Sequence, residues 1–71
     1  MKSQLLIQFG EAVRAKRTAQ KLSQEDFAEI VGVHRTYIGM IERAEKNITL
    51  CNIEKIAKAF DISISELFKD I

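Results

Sequence analysis

Arg35, Thr36, Gly39, Met40 and Arg43 follow one another at i, i+1, i+4, i+5 and i+8, with Ile38 and Ile41 three apart between them. On a helix this spacing separates a polar face from an apolar one. The polar face carries groups that suit base edges in a DNA major groove. An arginine can donate bidentately to guanine O6 and N7, and a threonine can bond a base or touch a thymine methyl. Arg35 and Thr36 stand at the N-terminal end, where a reading helix meets bases. Tyr37 lies between the faces, so its ring can pack and its hydroxyl can reach a base or phosphate. Arg35, Thr36 and Tyr37 are the predicted base contacts. Gly39 leaves a bare position through which such a helix could approach closely.

A reading helix also needs donors at its flanks to hold phosphates. Gln24, Arg43, Lys46 and Asn47 are the candidates. Gln24 falls at a helix start, where backbone N–H groups also favour an anion. Lys46 and Asn47 sit in a polar loop, and the alternative for both is a simple turn. His34 is the only histidine and no cysteine lies near it, so it reads as a helix cap within reach of a phosphate, not as a metal ligand.

These residues need a scaffold. The run from Leu22 to Leu50 reads as a helix, a short turn and a second helix, which is the pattern of a helix-turn-helix. Ser23 is a good N-cap, with Asp26 three residues on. Phe27, Ile30 and Val31 are expected to face inward, and Ala28 allows a close crossing. Gly32 ends the helix as a residue able to take positive φ. Upstream, a helix over about Gln4–Ala19 puts Leu6, Phe9, Val13 and Arg17 on one face. Downstream, Thr49 caps a helix with Leu50, Ile53, Ile56, Ala57 and Phe60 on one stripe. Ser63 and Glu66 form a capping box for a last helix carrying Ile64, Leu67 and Phe68. The expectation is an all-α, compact five-helix domain over residues 1–71. Arg17, on an inward face, is either free or paired, and Glu42 is the acid to pair it with.

With 71 residues the chain has room for one domain at most. No apolar run approaches the roughly 20 residues that span a bilayer, and no secretory leader is visible. One cysteine excludes an internal disulfide and any cysteine-based zinc cluster. Cys51 reads as a small buried hydrophobe. No cofactor site is apparent, and a cytoplasmic location is expected. The net charge is only +1, but Arg14, Lys16, Arg17 and Lys21 form a run without acids, while residues 47–71 lean acidic. One end therefore suits DNA and the other something else. Ile62, Ile64, Leu67, Phe68 and Ile71 crowd the tail. They complete the core, form a homodimer surface, or divide between the two. Ile64, Leu67, Phe68 and Ile71 are the predicted dimer contacts, with Leu50, Cys51 and Ile53 able to join them.

The run LSQEDFAEIVGVHRTYIGMIERAEKNITL resembles the phage-repressor-like (Cro/C1, XRE) helix-turn-helix family. LCNIEKIAKAFDISISELF is similar to that family's closing helices, so the resemblance spans about Phe9 to Phe68. It implies DNA contacts at Gln24, Arg35, Thr36, Tyr37 and Arg43, and a structural ion pair between Arg17 and Glu42. The small size and RTYIGMIERAEKNITL look like the controller proteins of restriction–modification systems. That likeness implies a dimer on operator DNA that acts on its own promoter and on the endonuclease gene, with RNA polymerase as a further partner. Ala44 and Ile48 depart from the glycine and proline that many relatives carry there, which puts the loop after helix three in question. The competing functions are a phage-type repressor, or an antitoxin whose main partner is a protein. Catalysis is not expected, because no paired carboxylates, activated nucleophile or glycine-rich phosphate loop is present.

Overall fold

The computed structural model describes residues 3–71 and contains five helices: α1 (Gln4–Ala19), α2 (Gln24–Val31), α3 (Arg35–Glu42), α4 (Leu50–Ala59) and α5 (Ile64–Leu67). Each begins at a side-chain cap. Ser3, Ser23, Thr49 and Ser63 accept from the backbone N–H three residues on, and His34 accepts from that of Thr36. Such caps satisfy donors that a helix start leaves unpaired. Ser63 and Glu66 complete a reciprocal capping box.

The first four helices end in one shared way. A residue with left-handed backbone follows the last turn: Lys21, Gly32, Ala44 and Asp61, at φ 59, 90, 60 and 59°. The next N–H then reaches back five residues, from Leu22 to Arg17, Val33 to Ala28, Glu45 to Met40 and Ile62 to Ala57. This closure satisfies the last carbonyls, and an apolar residue after it commonly packs on the helix it has just left. Leu22, Val33 and Ile62 do pack against the core. The turn after α3 departs: Glu45 occupies the matching place and is exposed.

The helices enclose one apolar core built on Phe9, Val13, Phe27, Ile38, Ile56 and Leu67. The Phe27 and Phe60 rings stack at 4.5 Å, and Phe9 stacks on Phe68 at 5.2 Å. α1 crosses α3 tightly at Gly10, where an added Cβ would come within 2.5 Å of the Ile41 carbonyl oxygen. Among the described residues no helix is long and apolar enough to cross a membrane.

Several inward assignments are corrected. Ile30 is 55% exposed, because Phe27, Ala28 and Val31 define the buried stripe of α2 and Ile30 falls well off its centre. Leu50 is 78% exposed, at the first residue of α4, a turn beyond the buried Ile53. Cys51 beside it is exposed, not buried. Leu67, expected at a dimer surface, is only 2% exposed and has no area to offer a partner.

Candidate nucleic-acid interface

α3 presents two faces. Ile38 and Ile41 are buried, and Arg35 and Thr36 are exposed at its N-terminal end. His34 Nδ1 accepts the Thr36 N–H at 3.1 Å, which fixes the start of the helix beneath these two side chains. Arg35 Nη1 lies 3.5 Å from Glu25 Oε2, with both side chains mostly in solvent. A pair of that kind is worth little and is easily exchanged for another anion.

Tyr37 is half-buried. Its hydroxyl accepts a hydrogen bond from Asn52 Nδ2 at 2.9 Å, so a residue of α4 sets its direction. The phenolic proton stays available for an acceptor outside the protein. Asn52 carried no signal in the sequence, since a polar residue in the first turn of a helix is unremarkable.

The residues expected to hold phosphates do not all lie alike. Lys46 and Asn47 are exposed in the segment between α3 and α4. Gln24 stands at the start of α2, where its Nε2 donates to Glu42 Oε1 at 3.0 Å. Arg43, the C-cap of α3, folds back along its own helix. Its Nη1 lies 3.0 Å from where a Cβ on Gly39 would stand, and Gln24 Oε1 lies 3.4 Å from the same point. Gly39 is consequently covered, not bare. Arg43 Nε pairs with Glu45 Oε1 at 3.1 Å.

Behind this face lies a buried polar network. Arg17 Nε donates to Glu42 Oε2 at 2.6 Å and Nη2 to Oε1 at 3.0 Å. Arg17 Nη1 donates to the Leu22 carbonyl oxygen at 2.7 Å. Hydrogen bonding to Glu42 raises the Arg17 pKa above its ordinary value, against the effect of burial, so this guanidinium stays charged. With Gln24 on the same carboxylate, α1, the turn before α2, α2 and α3 share one knot. No buried side-chain polar atom lacks a partner among the described residues. Nor does any group of three His, Cys, Asp or Glu residues there converge as a metal site would require.

A short helix packed under a second one, with the second one's N-terminal residues facing solvent, defines a helix-turn-helix domain. The helix-turn-helix family model HTH_3 matches residues 13–67. The chain is 51% identical over 57 residues to control protein C.SmaI of Serratia marcescens, covering 80% of this chain and 68% of that one. The crystal structure of the restriction–modification controller protein C.AhdI from Aeromonas hydrophila superposes with a TM-score of 0.89 at 45% identity, covering 93% of this chain and all of that one. The C.Esp1396I controller, solved as a tetramer with its natural 35 base-pair operator, superposes with a TM-score of 0.88 at 32% identity, covering 96% and 90%. The chain belongs to the helix-turn-helix family, within its group of restriction–modification controller proteins. That group consists of transcription regulators and not of enzymes.

Proposed function

We propose that this chain binds operator DNA as a homodimer and controls a restriction–modification system from its own promoter, acting also on the endonuclease gene. The carrying observation is the outer face of α3, where Arg35 and Thr36 stand exposed above the buried Ile38 and Ile41. In this reading Arg35, Thr36 and Tyr37 meet base edges, while Gln24, Lys46 and Asn47 meet phosphates on either side. The network of Arg17, Glu42 and Gln24 holds the helix pair rigid, so little ordering is left to be done on binding.

Two copies supply two reading helices about one turn of DNA apart. The pairing surface of this proposal is the α4–α5 end. Ile64 is 41% exposed there, Phe68 and Ile71 are half-buried, and Leu50 adds its open side chain. An activating role adds RNA polymerase as a partner, and the working place is then the cytoplasm, on the nucleoid.

A gel-shift titration with DNA from immediately upstream of the gene, against random competitor, tests the reading. Two cooperative shifts are the expected result for tandem operators. A single shift means one dimer site. Absence of any preferred binding overturns the proposal and turns attention to the neighbouring gene product as a protein partner.

A further inference from the structure

Three features converge on one side chain. Arg43 sits at the helix end, yet its guanidinium lies a full turn back, over Gly39 and beside Gln24. Side chains on a helix lean toward its N-terminus, so residue 43 covers the surface of residue 39. A Cβ there would stand 3.0 Å from Nη1, so the guanidinium would have to shift by a few tenths of an ångström. Glu45 Oε1 stands 3.1 Å from Nε. Glu45 occupies the one helix-ending turn whose anchoring position is not apolar, where Leu22, Val33 and Ile62 serve the other three.

The consequence is chemical. Nε lies 3.1 Å from Glu45 Oε1 in an ion pair without an aligned hydrogen bond, and Nη1 and Nη2 form the end-on edge of the guanidinium. That edge can address guanine O6 and N7 together. Because the guanidinium rests over residue 39, it stands mid-helix on the face shared by Thr36 and Met40. We infer that Arg43 is a base reader seated on Gly39, and not the phosphate contact that a helix-end position suggests. Gly39 is its positioning residue, and the half-exposed Glu45 carboxylate beside Nε adds a weaker bias. Their work is to favour one rotamer, which lowers the ordering cost of reading a base.

This inference rests on the DNA-binding reading above, and selection from a randomised duplex library separates the two. Wild type is expected to enrich a two-fold half-site motif. Arg43→Lys keeps the charge but loses the planar fork, so it is expected to relax one base pair of each half-site by roughly 5- to 150-fold. The salt slope of binding is expected to stay as in wild type, because the charge is kept. Gly39→Ala pushes the guanidinium aside and is expected to relax that same base pair, with a melting temperature equal to wild type or higher. Glu45→Gln is expected to relax it less and to tighten binding to random DNA. A full wild-type motif in Arg43→Lys overturns the base-reading role. An unchanged motif in Gly39→Ala overturns the seat. If wild type itself enriches no motif, the DNA-binding reading fails and this inference fails with it.

Discussion

Arg17 and Glu42, 25 residues apart in the chain, meet side-on through two bonds of 2.6 and 3.0 Å, with their side chains only 10% and 3% exposed. An ion pair so placed is weak evidence of net stabilisation, since both charges lose water. Its removal by halves is another matter. Arg17→Ala and Glu42→Ala are each expected to cost about 3–5 kcal/mol in urea unfolding, because each strands a buried charge. Arg17→Met with Glu42→Leu is expected to cost less than either single change. A double-variant loss as large as the sum of the two single losses would show that the pair carries no special coupling. The raised Arg17 pKa contributes stability below its unfolded value and loses it only as pH climbs through the folded one. That window lies in and beyond the ordinary arginine range, so this contribution is expected to stay intact through neutral and mildly alkaline pH.

Gly32 and Lys21 occupy equivalent turns with φ of 90 and 59°. Left-handed backbone costs a side-chain-bearing residue roughly 1–2 kcal/mol. Nothing lies within 4 Å of a Cβ built on Gly32. Gly32→Ala should therefore lose about 1–2 kcal/mol from backbone strain alone. Lys21→Gly should gain up to about 1 kcal/mol, and thermal melting of the two variants should move in opposite directions.

Gly10 is a different case. Its backbone is ordinary helix, but a Cβ there meets the Ile41 and Glu42 carbonyl oxygens at 2.5 and 2.9 Å. Main chain cannot step aside as a side chain can. Gly10→Ala is expected to cost about 1–3 kcal/mol by overpacking, despite the better helix propensity of alanine. Neutral or raised stability in denaturant melts would mean that α1 and α3 separate freely.

Arg35 tests the reading face. It is exposed, so Arg35→Ala should stay within about 0.5 kcal/mol of wild-type stability. Its preference for operator over random DNA should collapse toward unity in competition gel shifts. A preserved preference would remove Arg35 from the base contacts.

Ile64 tests the pairing surface. At 41% exposure it can be changed without opening the core. Ile64→Ser should leave circular dichroism unaltered and shift sedimentation toward the single chain on dilution. Phe68 is less clean, since its ring also stacks on Phe9. A sedimentation profile matching wild type would place the interface elsewhere.

Helix starts were readable because caps have a residue signature: Ser23, His34, Thr49 and Ser63 all cap. Helix ends were readable only at Gly32. Lys21, Ala44 and Asp61 adopt the same left-handed backbone without the glycine that announces it, so the fourfold repetition of one turn was invisible. Apolar spacing overreached at Ile30 and Leu50, since periodicity cannot say where a stripe stops or which helix end projects beyond the core. At α3, spacing separated Ile38 and Ile41 from Arg35 and Thr36. It could not foresee Arg43 folding over Gly39, because a rotamer depends on a neighbour four residues back and an acid two residues on. Asn52 was missed for a related reason: its bond to Tyr37 joins two helices, and no local pattern encodes it.

That bond has a mechanical consequence. Asn52 belongs to α4, which leads into the apolar end of the molecule, and Tyr37 belongs to α3. In the proposed dimer, joined at that end, this bond is one tie between the reading helix and the pairing end, and it helps to set the gap between the two reading helices. Inserting one base pair between half-sites turns the second one by about a tenth of a helical turn. To the extent that the proposed dimer holds its gap, the duplex must twist to compensate. Spacer length is then read through the elasticity of DNA, at positions that no side chain touches.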